Sequence, residues 1–363
     1  MKKAIAILTA GGDCPGLNAV IRAVTKKAII EYGMEVIGIE DGYEGLIHDR
    51  HRKLTYEDVS GILTLGGTIL GTSNTANPYK YAAREGAKPS FNDLSKVAIR
   101  NLEKMDIDCL ICVGGDGTLH SAYKLYRDGV PVIGIPKTID NDIMGTDVTF
   151  GFDSAVWIAT EGIDRLHTTA QSHHRVMIIE VMGREAGWIA LYSGVAGGGD
   201  IILIPEIPYD IDIIAQVVKE RQRHGKKFSI VVVAEGARPK GGDTVVNRVV
   251  KGSAYPVRLG GIGFALGRQI EGLAGLETRT VVMGHLLRGG TPTPFDRILA
   301  TRLGTKAVDM AKKKEFGRMV GVEGNLFVKV PLKKAASGSK LVPLDHPLIK
   351  SARSIGTSFG DRK

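Results

Sequence analysis

One pattern recurs along this 363-residue chain and governs what it can fold into. A run of β-branched and apolar residues stops abruptly at glycine beside a charged or polar residue. It occurs at Ala4–Asp13, Cys109–Asp116, Val132–Asp142, Val176–Gly187, Ser229–Gly236 and Val281–Gly290. Between these runs, Asn18–Tyr32, Leu119–Asp128, Ser154–Thr168 and Ile211–His224 carry apolar residues at helical spacing. Strand, glycine turn and helix in repetition predict an α/β fold with parallel sheets. The unbroken Val/Ile runs fit strands buried on both faces. Such sheets bind ligands beyond the carboxyl ends of their strands, which is where every polar cluster falls. Turns and helix caps account for one or two such clusters; six, several with Arg, His or paired Asp, call for chemistry. The length predicts about two domains, with a boundary near Phe150–Asp153 and a possible return of the chain to its first half near Gly289.

Charge narrows the partners. The net charge is +9, but residues 311–363 hold 12 Lys and Arg against 4 Asp and Glu, leaving 36 against 35 elsewhere. The body is nearly neutral, so no broad basic face for nucleic acid is expected, and the basic tail reads first as a solvated segment or terminal helix. Anion binding must come from local sites. Met1-Lys2-Lys3 runs straight into a short apolar stretch, which predicts no secretory leader. No apolar run reaches the roughly 20 residues of a membrane helix. Three cysteines fit a reducing cytoplasm rather than a disulfide framework. Cys109 and Cys112 form a CxxC, but within Cys-Leu-Ile-Cys-Val they read as a buried strand.

Three clusters carry phosphate chemistry. Gly11-Gly12-Asp13-Cys14-Pro15-Gly16 ends a strand and opens a helix, where backbone N–H groups and the helix N-terminus favour an anion. It matches neither the dinucleotide fingerprint nor the Walker loop. Gly114-Gly115-Asp116-Gly117-Thr118 leaves room for a phosphate chain, with a carboxylate able to hold Mg²⁺; the same words occur in lipid and NAD kinases. In Pro136-Lys137-Thr138-Ile139-Asp140-Asn141-Asp142, an extended backbone would point Asp140 and Asp142 to one side. One of them could then accept a hydroxyl proton while the other positions it or helps hold metal.

With these motifs in place the chain resembles the phosphofructokinase family over roughly residues 3–310. The likeness rests on GGDCPGLNAVIR, DGYEGL, GGTILGTS, GGDGT, KTIDND, EVMGREAG, AEGA and ETRTVVMGHLLRGGTPTPFDR. It implies two Rossmann-like three-layer α/β/α domains facing a cleft, a cytoplasmic glycolytic kinase acting on fructose 6-phosphate, and a homodimer or homotetramer with the substrate site at a subunit interface. The donor domain would hold residues 1–150 and about 289–338; the sugar-phosphate domain would hold 151–288 and about 339–363. The resemblance makes Asp140 the general base, supported by Asp142 and Thr138. Asp116 becomes the magnesium-linked carboxylate, and Arg184 the group that stabilises charge on the phosphoryl. Gly11, Gly12, Gly115, Gly117 and Thr118 would cradle the donor, with Tyr43 near the adenine. Met182, Gly183, Glu235, His285 and Arg288 would hold the sugar phosphate, and Arg175 and Arg279 would reach the 6-phosphate of a neighbouring subunit. Other readings stay open: a helix-capping acid for Glu235, a core histidine for His285, surface ion pairs for Arg175 and Arg279.

Two positions bear on the donor. In the family, Gly at both accompanies ATP, whereas Asp after GGD with Lys before TIDND accompanies pyrophosphate; here they are Gly117 and Lys137. Gly117 leaves space for the nucleoside, while Lys137 adds positive charge near the transferred phosphoryl, a catalytic role that serves either donor; exclusion is harder to bypass than assistance, so ATP is expected and pyrophosphate is the alternative. Asn74 stands where many ATP-using members have Arg, which weighs the other way. Arg22 is retained at the family's effector site, but His224 and Asp200 replace the usual Lys and Glu, so activation by nucleoside diphosphates is expected to be weak or absent. A non-catalytic sugar-phosphate sensor would be expected to lack Asp140 or Arg184, and both are present.

Overall fold

A computed structural model describes residues 4–82, 90–249 and 257–362. Among these residues, eleven strands build two main sheets. The first contains β1 (Ala4–Ala10), β2 (Glu35–Ile39), β3 (His51–Leu54), β4 (Cys109–Gly114) and β5 (Val132–Pro136). The second contains β6 (Val176–Val181), β7 (Ile201–Leu203), β8 (Ser229–Ala234) and β9 (Thr278–Val282). Late in the chain, β10 (Arg318–Glu323) and β11 (Leu326–Pro331) return to the first sheet. The orders are β11-β10-β5-β4-β1-β2-β3 and β9-β6-β8-β7. All pairings are parallel except those of the two edge strands β3 and β11.

Each of the six expected runs holds a strand; β1, β4, β6 and β8 stop within two residues of a glycine, whereas β5 ends at Pro136 and is followed by Lys137. The sixth starts earlier than expected, at Thr278, and the segment Gly284–Arg288 is a 3-10 turn. The helices α1 (Leu17–Tyr32), α2 (Asp116–Arg127), α3 (Phe152–His173) and α5 (Ile211–Arg223) occupy the expected segments. Between the last two lies α4 (Trp188–Ala196). After them come α6 (Ile262–Ala274) and α7 (Pro294–Lys312).

Period-two alternation explains the layering. In β1, Ile5 and Ile7 enter one core, and Ala6 and Leu8 enter another on the opposite face. In β8, Ile230 and Val232 join the first of these cores, and Val231 and Val233 a third. The core shared by both sheets includes Leu17, Ala155, Ile189 and Leu303, from α1, α3, α4 and α7. Both sheets are thus covered on both faces, which parallel strands require. Cys109 and Cys112 lie fully buried on opposite faces of β4, and burial pushes both thiols up. No helix among the described residues is long and apolar enough to cross a membrane.

The order of the first sheet reverses at β1, whose neighbours are β2 and β4. Ala10 pairs with Gly114, so the turns after β1 and β4 open side by side at the switch point, where such sheets leave a crevice.

Candidate active site

The turn after β1 forms one wall of a cleft of about 480 Å³, lined among others by Gly11, Gly12, Asp41, Arg50, Thr72 and Asn74. The Thr72 hydroxyl donates to the Gly11 carbonyl (2.7 Å), and Gly11 N–H donates to the Ser73 carbonyl (3.0 Å). Arg50 donates to Asp41 at 3.1 Å. A Cβ at Gly12 would stand 2.5 Å from Arg288 Nη1, so a side chain there would displace the guanidinium, which donates to the Asp13 carbonyl (3.0 Å).

The turn after β4 is the start of α2, with Asp116 in the first turn, where the helix dipole favours an acid or a bound anion. Burial raises the pKa of Asp116, and Glu185 raises it further, against His120. Lys137 N–H donates to the Gly114 carbonyl (3.0 Å), tying the ends of β4 and β5. The Lys137 side chain is 3% exposed and hydrogen-bonds the Gly12 carbonyl.

The segment after β5 is not the extended strand expected. Asn141 has φ of 52°, in the left-handed region. Its side chain holds the bend by donating to the Asp147 carbonyl (3.2 Å) and accepting from Thr149 N–H (3.0 Å). Asp140 and Asp142 nevertheless come together, through the bend rather than through strand alternation. Asp140 N–H donates to Thr138 Oγ1 (3.1 Å), and the Thr138 side chain also bonds Asp142. Burial raises both carboxyls; Asp140 raises Asp142 further, while Arg288, Lys137 and Arg184 restrain Asp140. Asp140 Oδ1 is buried with no hydrogen-bond partner among the described residues.

Turns of the second sheet approach the Asp140 segment, where Arg184 and Glu235 act on its carboxyl. Met182-Gly183-Arg184 follows β6, and Glu235 follows β8. Glu235 N–H donates to the Val181 carbonyl (2.9 Å) and Gly236 N–H to the Gly183 carbonyl (3.0 Å). A Cβ at Gly236 would lie 1.9 Å from the Arg184 carbonyl, so only glycine lets these turns meet. Burial raises the pKa of Glu235, Arg184 and Arg288 lower it, and Glu180 raises it. His285 and Arg288 lie in the 3-10 turn after β9, with His285 exposed rather than in the core.

Three expected site residues lie away from the cleft. Tyr43 does not border the cleft: it is 2% exposed, and its hydroxyl donates to the Thr118 carbonyl (2.8 Å), under α2. Its ring is core packing, which offers an adenine no surface. Arg175 and Arg279 stand at the opposite ends of β6 and β9 from the cleft, both bonded to Glu277, with Arg175 Nε at 2.6 Å. They do not reach this chain's own site. Residues without an expected role also enter it: Asp41 and Arg50 at the cleft mouth, and Glu185 near Asp116. DGYEGL marked the first segment without showing that Asp41 faces the cleft.

A buried carboxylate with an unclaimed oxygen, beside three cations and a glycine cradle, can take a proton from a hydroxyl while negative charge gathers next to it. That is the work of a phosphotransferase.

Comparison with known proteins names the family. Residues 4–311 match the phosphofructokinase family. The chain is 54% identical over 361 residues to an ATP-dependent 6-phosphofructokinase 2 of Clostridium perfringens, covering 99% of both chains. It is 53% identical over 355 residues to an ATP-dependent 6-phosphofructokinase of Spirochaeta thermophila, covering 98% of this chain and 97% of that one. The crystal structure of Pichia pastoris phosphofructokinase in the T-state superposes with a TM-score of 0.78 at 34% identity, over 93% of this chain and 36% of the Pichia chain. A pyrophosphate-dependent phosphofructokinase from Nitrosospira multiformis superposes at 0.80 with 19% identity, over 98% of this chain and 92% of that one, a likeness of fold alone. The chain belongs to the phosphofructokinase family.

Proposed function

We propose that this chain is an ATP-dependent 6-phosphofructokinase, moving the γ-phosphoryl of ATP to the 1-hydroxyl of fructose 6-phosphate. The observation that carries this reading is Asp140 Oδ1, buried and unpartnered among Lys137, Arg184, Arg288 and Glu235, which arrive from both sheets. A carboxylate so placed takes the hydroxyl proton as the oxygen attacks phosphorus. Thr138 and Asp142 hold it in place. Arg184 lies against the transferred phosphoryl, where charge develops and electrostatic help is worth most. Glu235 accepts from sugar hydroxyls, beside Met182 and Gly183, and His285 and Arg288 hold the sugar phosphate.

The donor lies in the cleft between Gly11-Gly12 and Gly115–Thr118, with Asn74 on its rim. Full-length relatives named as ATP-dependent support ATP. Mg²⁺ fits Asp116: burial and Glu185 hold this half-buried carboxyl above its ordinary value, and a divalent ion beside it would offset both. Among the described residues no cluster of three or more His, Cys, Asp or Glu stands ready as a metal cage. Asp116 and the phosphates would therefore share the ion, as is usual for magnesium. When bound, it would neutralise charge on the phosphates.

The sheets support a donor domain of residues 1–150 and about 289–338, and a sugar-phosphate domain of 151–288 and about 339–363. Arg175 and Arg279, far from their own cleft, suit a neighbouring subunit's 6-phosphate and hence a homo-oligomer. A glycolytic role places the enzyme in the cytoplasm.

Phosphorus NMR of the product tests the reading. New phosphate is expected on C1 of fructose 6-phosphate, and Asp140→Ser should abolish its formation while sugar-phosphate binding persists. A variant keeping a tenth of the rate would remove Asp140 as base.

A further inference from the structure

The chain beyond the family match does more than complete the first sheet. Residues 339–346 form a strap behind the cleft that touches loops from both sheets. On one side, Ser339 pairs with Ile143 in an antiparallel bridge, and Lys340 N–H donates to the Asp142 carbonyl at 2.7 Å. The Lys340 ammonium donates to the carbonyls of Thr146 (2.8 Å) and Asp147 (2.9 Å). On the other side, Trp188 Nε1 donates to the Lys340 carbonyl at 2.8 Å, and the ammonium stands 5.4 Å from the centre of the Trp188 ring. Ser339 Oγ donates to Glu185 (2.7 Å). Val342 N–H donates to Glu206 (2.8 Å), and the same carboxylate accepts from Gly187 N–H at 3.0 and 3.2 Å.

One side of the strap therefore grips the loop that carries Asp140 and Asp142. The other grips Glu185, directly after Met182-Gly183-Arg184, and Trp188 at the start of α4. Ser339 and Lys340 both touch the two sides, and of these two Lys340 also brings a charged side chain, bonded to the Thr146 and Asp147 carbonyls and set beside the Trp188 ring. We propose that Lys340 is a positioning residue for phosphoryl transfer, setting the separation between the carboxylate pair and Arg184. This rests on the roles given above to Asp140 and Arg184. A misplacement of about 1 Å between reacting groups can cost ~100-fold in rate, which is why such a clamp would be felt in kcat.

The charge of the ammonium is part of the grip. Asp142 and Asp147 face it from the loop after β5; Glu185 and Glu206 lie on the α4 side, and Asp345 and His346 on the strap. Burial lowers its pKa to about 8, against Asp147 and Asp142.

The test is steady-state kinetics of Lys340→Met and Lys340→Arg in the full chain, beside Asp140→Ser. Lys340→Met should lower kcat ten- to a hundredfold with KM for both substrates within threefold. Lys340→Arg should recover at least half of the rate, because a guanidinium can still serve two carbonyls. The wild-type kcat should also decline above about pH 8, and this limb should move upward in Lys340→Arg. A Lys340→Met enzyme within twofold of wild-type kcat, while Asp140→Ser is dead, would overturn the proposal and leave the assignment of the base standing. An active Asp140→Ser would instead overturn that assignment. If Lys340→Met does not fold, Trp188→Phe and Ser339→Ala each remove one bond of the strap. Both should lower kcat at least threefold at constant KM, and unchanged kcat in both would overturn the proposal equally.

Discussion

The ammonium of Lys137, at the end of β5, is bonded to the carbonyl of Gly12, 125 residues earlier in the chain. This contact fastens the phosphate turn after β1 to the segment that carries the carboxylate pair. Burial lowers the pKa of Lys137 and Arg288 lowers it further, whereas Cys14, Asp13 and Asp140 raise it. Replacement by methionine keeps the volume but removes the charged hydrogen bond to the Gly12 carbonyl, a loss of about 1.5–3 kcal/mol. Lys137→Met should therefore melt lower than wild type, and its kcat/KM for ATP should fall about a hundredfold or more. Thermal melts and initial rates on the same preparation check both.

Gly117 lies exposed in the first turn of α2, where an acidic side chain is compatible with the helix dipole. Gly117→Asp should fold with an unchanged melting temperature. It should nonetheless lose about a hundredfold in kcat/KM for ATP, because the carboxylate would crowd and repel the donor's phosphates. ATP turnover within threefold of wild type would show that this position does not set donor choice.

Burial raises Asp140, Asp142 and Glu235 above ordinary carboxylate values in the folded chain. Between pH ~4, where free carboxyls titrate, and those folded values, the folded chain holds more protons than the unfolded one. Stability from these groups therefore falls as pH rises through that window. Asp140→Asn should raise the melting temperature by about 1–3 °C at pH 8 and leave it nearly unchanged at pH 4, while turnover is lost. Activity of the wild type should fall on acidification at a pH above the usual carboxylate range, the pair titrating together.

Arg175 and Arg279 share Glu277 at the far ends of their strands. If they complete a neighbour's site, Arg175→Ala should raise KM for fructose 6-phosphate about ten- to a hundredfold, the worth of a charged hydrogen bond to phosphate, with kcat little changed. Co-expression with Asp140→Ser chains should restore tight sugar-phosphate use in mixed oligomers. Mixed oligomers with the KM of Arg175→Ala alone would place these arginines outside the site.

The parts of the fold legible in the sequence are those where burial on both faces wrote a continuous apolar run, as in Cys109–Gly114 and Ser229–Ala234. Glu35–Ile39 escapes because Glu35 and Gly38 interrupt it, and Ile201–Leu203 because three residues make no pattern. The hairpin Arg318–Pro331 lies at the edge of the sheet, half-solvated, and its Lys and Arg residues merge with the basic tail. The candidate site was legible where polar clusters follow strands, as at Lys137–Asp142 and Gly183-Arg184. Tyr43 was misplaced because nothing local shows that its hydroxyl answers a carbonyl 75 residues away. Lys340 was invisible because its partners are main-chain carbonyls, which every sequence has.

Donor choice is the most direct test of the enzyme's chemistry. Purified enzyme, fructose 6-phosphate and Mg²⁺ should give fructose 1,6-bisphosphate with ATP and none with pyrophosphate under the same conditions. Turnover with pyrophosphate and none with ATP would contradict it, and would mean that Lys137 together with Asn74 outweighs the room left by Gly117.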